Sequence, residues 1–202
     1  RRENIRIKQR ISFAKLKQQA ACESIDFHSK RNLKKPQFLE LVQCHWIGKA
    51  NNLLITGPTG IGKTFLACAL ADNACRKGFS SLYLKTAELT YQLNSAFVDG
   101  SFYKFLSKLG KIKLLIIDEW LRETINEQSS RLIADLLDDR YGKSSTIFIS
   151  QLPFKDWHQN ILNPTIADSI IDRLAYTSSL RLELQGDSMR KEKPAKIPDK
   201  QN

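Results

Sequence analysis

The stretch "NLLITGPTGIGKTFLA", residues 52–67, constrains this chain more than any other. An apolar run stops at a glycine, passes through Gly57-Pro58-Thr59-Gly60-Ile61-Gly62-Lys63-Thr64, and resumes as an apolar pattern of helical period. The spacing is G-x-x-x-x-G-K-[ST], a phosphate cradle. Its glycines let the backbone turn and bring N–H groups onto phosphate oxygens. A helix starting near Gly62 points its positive end at the same phosphates. Lys63 is placed to reach the β- and γ-phosphates and the Thr64 hydroxyl to ligate Mg²⁺, with Phe65 counted in the same nucleotide-binding stretch. A strand before the loop and a helix after it are what this motif requires, and the pattern supplies both.

From residue 50 onward, strand and helix patterns alternate. "NLLIT" reads as a short buried strand, 63–77 as a helix ending before Gly78, and "SLYLK" as a second strand. "TAELTYQLNSAF" reads as a helix with Thr86 as its N-cap, and "SFYKFLSKLG" as another helical piece. "KLLIID" is apolar throughout and reads as a central strand covered on both faces. A helix over 126–141, a strand at "STIFIS", a helix over 166–175 and an alternating strand at "SLRLEL" complete the series. Strands joined through helices imply right-handed crossovers and a parallel sheet with helices on both faces. Ahead of this unit, 1–21 reads as a basic helix, "CESIDFHSKRNLKKP" as a linker, and "QFLELVQCHWI" as one short amphipathic helix.

Three further places carry chemistry. Leu114 to Ile117 form an apolar strand that delivers Asp118 to the C-terminal edge of the sheet, where open α/β sheets bind ligands. Asp118 would hold the magnesium and Glu119 would polarise a water for attack on the γ-phosphate, so the acidic pair favours hydrolysis over transfer to an organic acceptor. Ser150 and Gln151 stand where the fourth strand reaches the same edge, with Gln151 the better γ-phosphate sensor. Arg173, in "ADSIIDRLAY", has two open readings: a finger inserted into a neighbouring subunit's site, or a surface arginine paired with Asp168 or Asp172.

Charge and cysteine usage bound the partners and the compartment. Residues 1–50 hold 12 Lys/Arg against 4 Asp/Glu, whereas residues 51–178 hold 14 against 13, so the basic excess lies in an arm beside a neutral core. Such an arm favours a polyanion, most often nucleic acid. Cys22, Cys44, Cys68 and Cys75 form no C-x-x-C pair, and Cys68 and Cys75 share a helix face as core residues, which points to a reduced, cytosolic protein. No apolar run reaches the roughly 18–20 residues of a membrane span.

Taken in order, "NLLITGPTGIGKTFLACALADNAC", "LLIIDEW", "DDRYGKSSTIFISQLP", "DWH", "ADSIIDRL" and "LQGDSMRK" resemble the AAA+ ATPases, and within them the IstB-like helpers of insertion-sequence transposition, relatives of the helicase loader DnaC and the initiator DnaA. The resemblance implies an α/β P-loop NTPase of AAA+ type with a five-stranded parallel sheet in the order 5-1-4-3-2. It implies ATP and Mg²⁺ as cofactors, homo-oligomers on double-stranded DNA, and a cognate transposase as partner. Lys63 and Thr64 match the phosphate-binding pair, Asp118 and Glu119 the magnesium and catalytic acids, Gln151 the sensor, Arg173 the trans-acting finger, and Arg190 a late sensor-like arginine. DNA contacts are expected from Arg1, Arg2, Arg6, Lys8, Arg10, Lys15 and Lys17. The expected organisation is a basic helical segment with linker over 1–35, the ATPase domain over 36–186 and a polar tail over 187–202. Two departures stand out: "LRETINEQ" replaces a longer glycine-containing segment after Trp120, and the N-terminal helical part is short, with a piece of it expected to be missing. The alternatives are a DnaC-like helicase loader, a small-molecule or nucleotide kinase using the same cradle, and a non-catalytic ATP-binding module. The intact acids, lysine and threonine disfavour the last.

Overall fold

Short runs of β-prone residues form the strands, and each strand alternates its side chains between the two faces of the sheet. The computed structural model describes residues 2–176 and 180–189. Strands β1 (Leu53–Thr56), β2 (Ser81–Lys85), β3 (Leu114–Asp118), β4 (Ser145–Ser150) and β5 (Leu180–Glu183) pair in parallel in the order β2-β3-β4-β1-β5, the expected order read from its other edge. The helices are α1 (Arg2–Ala14), α2 (Lys35–Val42), α3 (His45–Gly48), α4 (Lys63–Arg76), α5 (Thr86–Val98), α6 (Phe102–Gly110), α7 (Glu127–Arg140) and α8 (Pro164–Tyr176).

Leu53, Ile55, Ile116, Ile147 and Ile149 face one core with α4, α2 and α3. Leu54, Leu115, Ile117 and Phe148 face the other, with α5 to α8. That period of two explains why β1 and β3 read as nearly continuous apolar runs: both faces are buried. Trp120, Phe148, Trp157 and Phe154 meet edge to face in the second core, with centroid separations from 5.0 to 6.2 Å. Cys68 and Cys75 are buried along α4, as their spacing implies. No helix among the described residues is long and apolar enough to cross a membrane.

Several boundaries differ from the sequence expectation. The first helix stops at Ala14 rather than at residue 21, because Lys15 takes a left-handed conformation (φ 48°) and turns the chain. The 22–36 stretch is irregular, as its polarity suggests, yet Ile25 and Leu33 are buried in the first core and Arg31 is buried as well. The helix expected over 37–47 is two: Cys44, at φ 63°, breaks it between α2 and α3. Thr86 is the first residue of α5 rather than its cap, since its hydroxyl donates to the Asp118 carbonyl at 3.0 Å. The expected helix over 166–175 starts earlier, at Pro164, whose fixed φ suits a first helical turn. Arg1 and Arg190, and the tail beyond Met189, lie outside the described residues.

Candidate functional site

The parallel register brings four strand ends together at one edge. Thr56 lies beside Ser150, and Lys85 beside Asp118. The chain leaving β1 turns through Gly57, Gly60 and Gly62, at φ 146°, 83° and 95°, conformations open to glycine and costly for other residues. Gly62 caps α4, so the amides of Lys63, Thr64 and Phe65 stand at the positive end of a 14-residue helix. A cleft of about 950 Å³ opens above this loop, lined among others by Thr59, Gly60, Gly62, Lys63, Thr64, Phe65, Asp118, Glu119 and Gln151. Of the sequence-predicted nucleotide residues, Thr59, Gly60, Gly62, Lys63, Thr64 and Phe65 line one cavity, whereas Ile61 is buried in the first core and does not line it. Gly57 and Pro58 lie behind it, where their carbonyls accept from Lys63 Nζ at 2.6 and 2.8 Å. Burial lowers the affinity of the Lys63 amine for its proton, and the Asp118 charge opposes that shift.

Asp118, only 3% exposed, is the hub of the acidic pair. Its Oδ2 accepts from Thr64 Oγ1 at 2.8 Å and from the Tyr83 hydroxyl at 2.7 Å, and its Oδ1 accepts from the Glu119 amide at 2.7 Å. The Thr64 hydroxyl and Asp118 carboxylate are hard oxygen donors at the floor of the cleft. That is the sparse protein ligation Mg²⁺ adopts when phosphate and water oxygens complete its shell. Burial and the bond to Asp118 push the Tyr83 phenol well above the usual range, which keeps it a donor.

Glu119 leaves β3 in a left-handed conformation (φ 58°), and Leu121 repeats it (φ 55°). The two turns build the exit loop without a glycine, which resolves how "LRETINEQ" replaces the longer segment. Leu121 is buried, the Ile125 amide bonds the Asn160 carbonyl at 3.0 Å, and Asn126 caps α7 by accepting from the Ser129 amide at 2.8 Å. The Glu119 carboxylate meets Lys85 Nζ at 3.0 Å and Arg122 Nη1 at 3.4 Å. Of the two polar groups ending β4, Ser150 is buried and donates to the Trp120 carbonyl at 2.7 Å, so its hydroxyl is committed to holding β4 against the β3 exit. Gln151 is exposed in the cleft.

Arg173 does not line this cleft. It pairs with Asp138 and bonds Ser169, so its own-chain partner is neither Asp168 nor Asp172. Asp168 instead meets His158 at 2.9 Å. In the basic arm, Arg2, Arg6, Lys8 and Lys15 are exposed. Arg10 is half-buried and fixes α1 to α4 by donating from Nε to the Cys75 carbonyl at 2.8 Å, and Lys17 turns into the cleft.

Tyr83, Lys85, Arg122 and Arg31 were not identified from sequence as parts of this site. Lys85 could have been found, because the parallel pairing of "SLYLK" with "LLIID" sets their ends side by side. Tyr83 follows from the same register two residues earlier. Arg31 gave no local signal, since its place depends on how an irregular segment crosses the phosphate loop.

The model of the family described as IstB-like ATP binding protein matches residues 1–196. A Sinorhizobium fredii protein named as an insertion sequence ATP-binding protein, y4pL, is 44% identical over 182 residues, covering 90% of this chain and 74% of its own. Among solved structures, DnaI superposes with a TM-score of 0.69 at 18% identity, covering 88% of this chain and 93% of that one. The DnaC helicase loader superposes at 0.61 and 21% identity, covering 79% and 94%. Likenesses at such identity speak for the fold, which is that of the AAA+ P-loop domains.

Proposed function

This chain belongs to the family of IstB-like ATP-binding proteins, and from that premise we propose that it is an ATPase that assembles on double-stranded DNA and assists a transposase. The observation that carries the reading is the convergence of Lys63, Thr64, Asp118 and Glu119 on one cleft at the C-terminal edge of the sheet. In this reading the loop amides and α4 bind the phosphates, and Lys63 balances their charge. Thr64 and Asp118 would hold Mg²⁺, which would supply charge neutralisation to the phosphate groups. Glu119 takes the proton of the water that attacks the γ-phosphorus, and the bond to the bridging oxygen breaks to release ADP and phosphate. Gln151 stands in the cleft as the group that senses the γ-phosphate. Arg173 completes a neighbour's site after leaving Asp138, which makes the working unit an oligomer.

The exposed Arg2, Arg6, Lys8 and Lys15 support phosphate-backbone binding, with a strong salt dependence and little sequence preference. The insertion-sequence name of the 44%-identical relative supports transposition over helicase loading. The loader reading rests on the shared fold, which does not carry function. A kinase reading finds no support in the acidic pair. We also read 1–35 as the DNA-facing segment, 36–186 as the ATPase unit and 187–202 as a tail, in a cytosolic protein.

The test is steady-state ATP hydrolysis with and without duplex DNA. Hydrolysis rises with DNA, Lys63→Ala removes nucleotide binding, and Glu119→Gln keeps binding while turnover stops. A rate indifferent to DNA that rises with a small hydroxyl acceptor would replace the reading with a kinase.

A further inference from the structure

Among the described residues two arginines are almost fully buried, and they are not equivalent. Arg140, 2% exposed, has its whole fork satisfied. Nε donates to Thr146 Oγ1 at 3.1 Å, Nη1 to the Leu109 and Ile112 carbonyls at 2.6 and 2.9 Å, and Nη2 to the Ser145 carbonyl at 2.5 Å. Arg31, 4% exposed, has much less. Its Nη2 donates to the Asp26 carbonyl at 2.8 Å, and its Nη1 reaches the Ile61 carbonyl only at 3.4 Å. Its Nε has no partner among the described residues, and no carboxylate among them forms an ion pair with it.

A buried cation with an incomplete set of acceptors is costly, and the nearby Asp26 charge opposes only part of the effect of burial on Arg31. The surroundings of Arg31 point to a use for it. Its guanidinium lies against the phosphate loop: a Cβ placed on Gly62 would come within 2.7 Å of Nη1. Arg31 borders the same cleft as Gly60, Lys63 and Thr64. The loop amides, the start of α4 and Lys63 already make this a place where an anion is favoured. A phosphate there would supply counter-charge to the guanidinium, whose Nη1 already lies beside Gly62.

We infer that Arg31 is a nucleotide-binding residue, a phosphate ligand contributed by the segment that follows α1. The inference rests on reading the cleft as the ATP site. Arg31 also links three pieces of chain, because its own carbonyl accepts from the Gln185 amide at 3.1 Å while its side chain reaches Asp26 and Ile61. A bound phosphate therefore fastens the N-terminal segment and the exit of β5 to the phosphate loop.

The experiment measures binding of ATP and of inorganic tripolyphosphate, with thermal unfolding of the nucleotide-free protein, for wild type, Arg31→Gln and Arg31→Lys. Arg31→Gln weakens both probes about ten- to hundredfold, the range of a lost charge-assisted hydrogen bond. Its nucleotide-free melting temperature is equal to or above that of wild type, because a buried charge only partly offset by Asp26 has been removed. Arg31→Lys keeps the charge without the fork and falls between the two in affinity, which secures the test if the glutamine variant folds poorly. Unchanged affinity in both variants, while wild type binds, overturns this inference alone. So does a lowered nucleotide-free melting temperature in both, which would make Arg31 a structural pin like Arg140. A loss for ATP with none for tripolyphosphate would assign Arg31 to the base and overturn the phosphate role. Wild-type protein that binds neither probe overturns the ATP-site reading, and this inference with it.

Discussion

Tyr83→Phe isolates one bond at the centre of the site. The phenol, 7% exposed, donates to Asp118 Oδ2 at 2.7 Å, and the phenyl ring fills the same space without the donor. Asp118 keeps Thr64 Oγ1 and the Glu119 amide, so one of its three bonds is lost. A hydrogen bond to a charged acceptor contributes about 1.5–3 kcal/mol, and that is the stability expected to be lost at pH 7. The pH dependence gives an independent check. The unfolded tyrosine titrates near 10.0, whereas the folded one is held far higher by burial first and by Asp118 second. A folded pKa above the unfolded one gives stability that is present below pH 10 and lost as pH rises beyond it. By pH 11, one unit past the unfolded value, wild type has lost about 1.4 kcal/mol from this group. The phenylalanine variant loses none of it, so the gap between the proteins narrows by that amount. Urea unfolding followed by fluorescence of the buried Trp46, Trp120 and Trp157 measures both quantities. A loss below about 0.5 kcal/mol at pH 7, or a gap that stays constant from pH 9 to pH 11, would refute the account of Asp118 as an anion held by Tyr83.

Arg140→Met removes four hydrogen bonds to buried acceptors, of which the Leu109 carbonyl keeps another donor, the Ile112 amide, and is expected to cost about 3–5 kcal/mol, read as a shifted urea midpoint at unchanged slope. Burial pushes the Arg140 guanidinium down to about 10, still charged at neutral pH, so the cost appears at pH 7. Lys85→Ala frees Glu119 from its shorter ion pair, at 3.0 Å, and should change the basal hydrolysis rate about two- to fivefold with ATP affinity unaltered, the scale of a partly exposed pair. An unchanged rate would mean that Arg122 alone sets the carboxylate. Mixing Arg173→Ala with Lys63→Ala subunits should restore hydrolysis that neither shows alone if the arginine acts in trans, and no rescue would leave it a structural partner of Asp138.

The strands and the cradle were legible because their signals are local. Leu53 to Ile55, Leu114 to Ile117 and Ile147 to Ile149 are short apolar runs, and the loop glycines have fixed spacing. The helix ends were less legible: Lys15 and Cys44 adopt left-handed conformations that nothing in their composition announces, so two predicted helices ran past their true ends. Arg173 was read by its place in a pattern, while its partner, Asp138, sits 35 residues away on another helix. Arg31 illustrates the limit most directly. It stands in a polar stretch that reads as a linker, and its burial follows only from the path of residues 25–33 across the first core.

The phosphate loop also supports the fold. The Leu184 amide bonds the Thr56 carbonyl at 2.8 Å, the Met189 amide bonds the Gly60 carbonyl at 3.0 Å, and a Cβ on Gly57 would lie 2.5 Å from the Leu184 carbonyl oxygen. Replacing Gly57 would therefore dislodge the outer strand β5 as well as reshape the cradle. A bench worker who silences this protein by a glycine substitution would obtain a chain damaged in two ways and could ascribe all of it to lost nucleotide. Substitution of Lys63 or Thr64, which line the cleft, removes the Lys63 bonds to the Gly57 and Pro58 carbonyls or the Thr64 bond to Asp118, yet leaves the close approach of Gly57 to Leu184 in place.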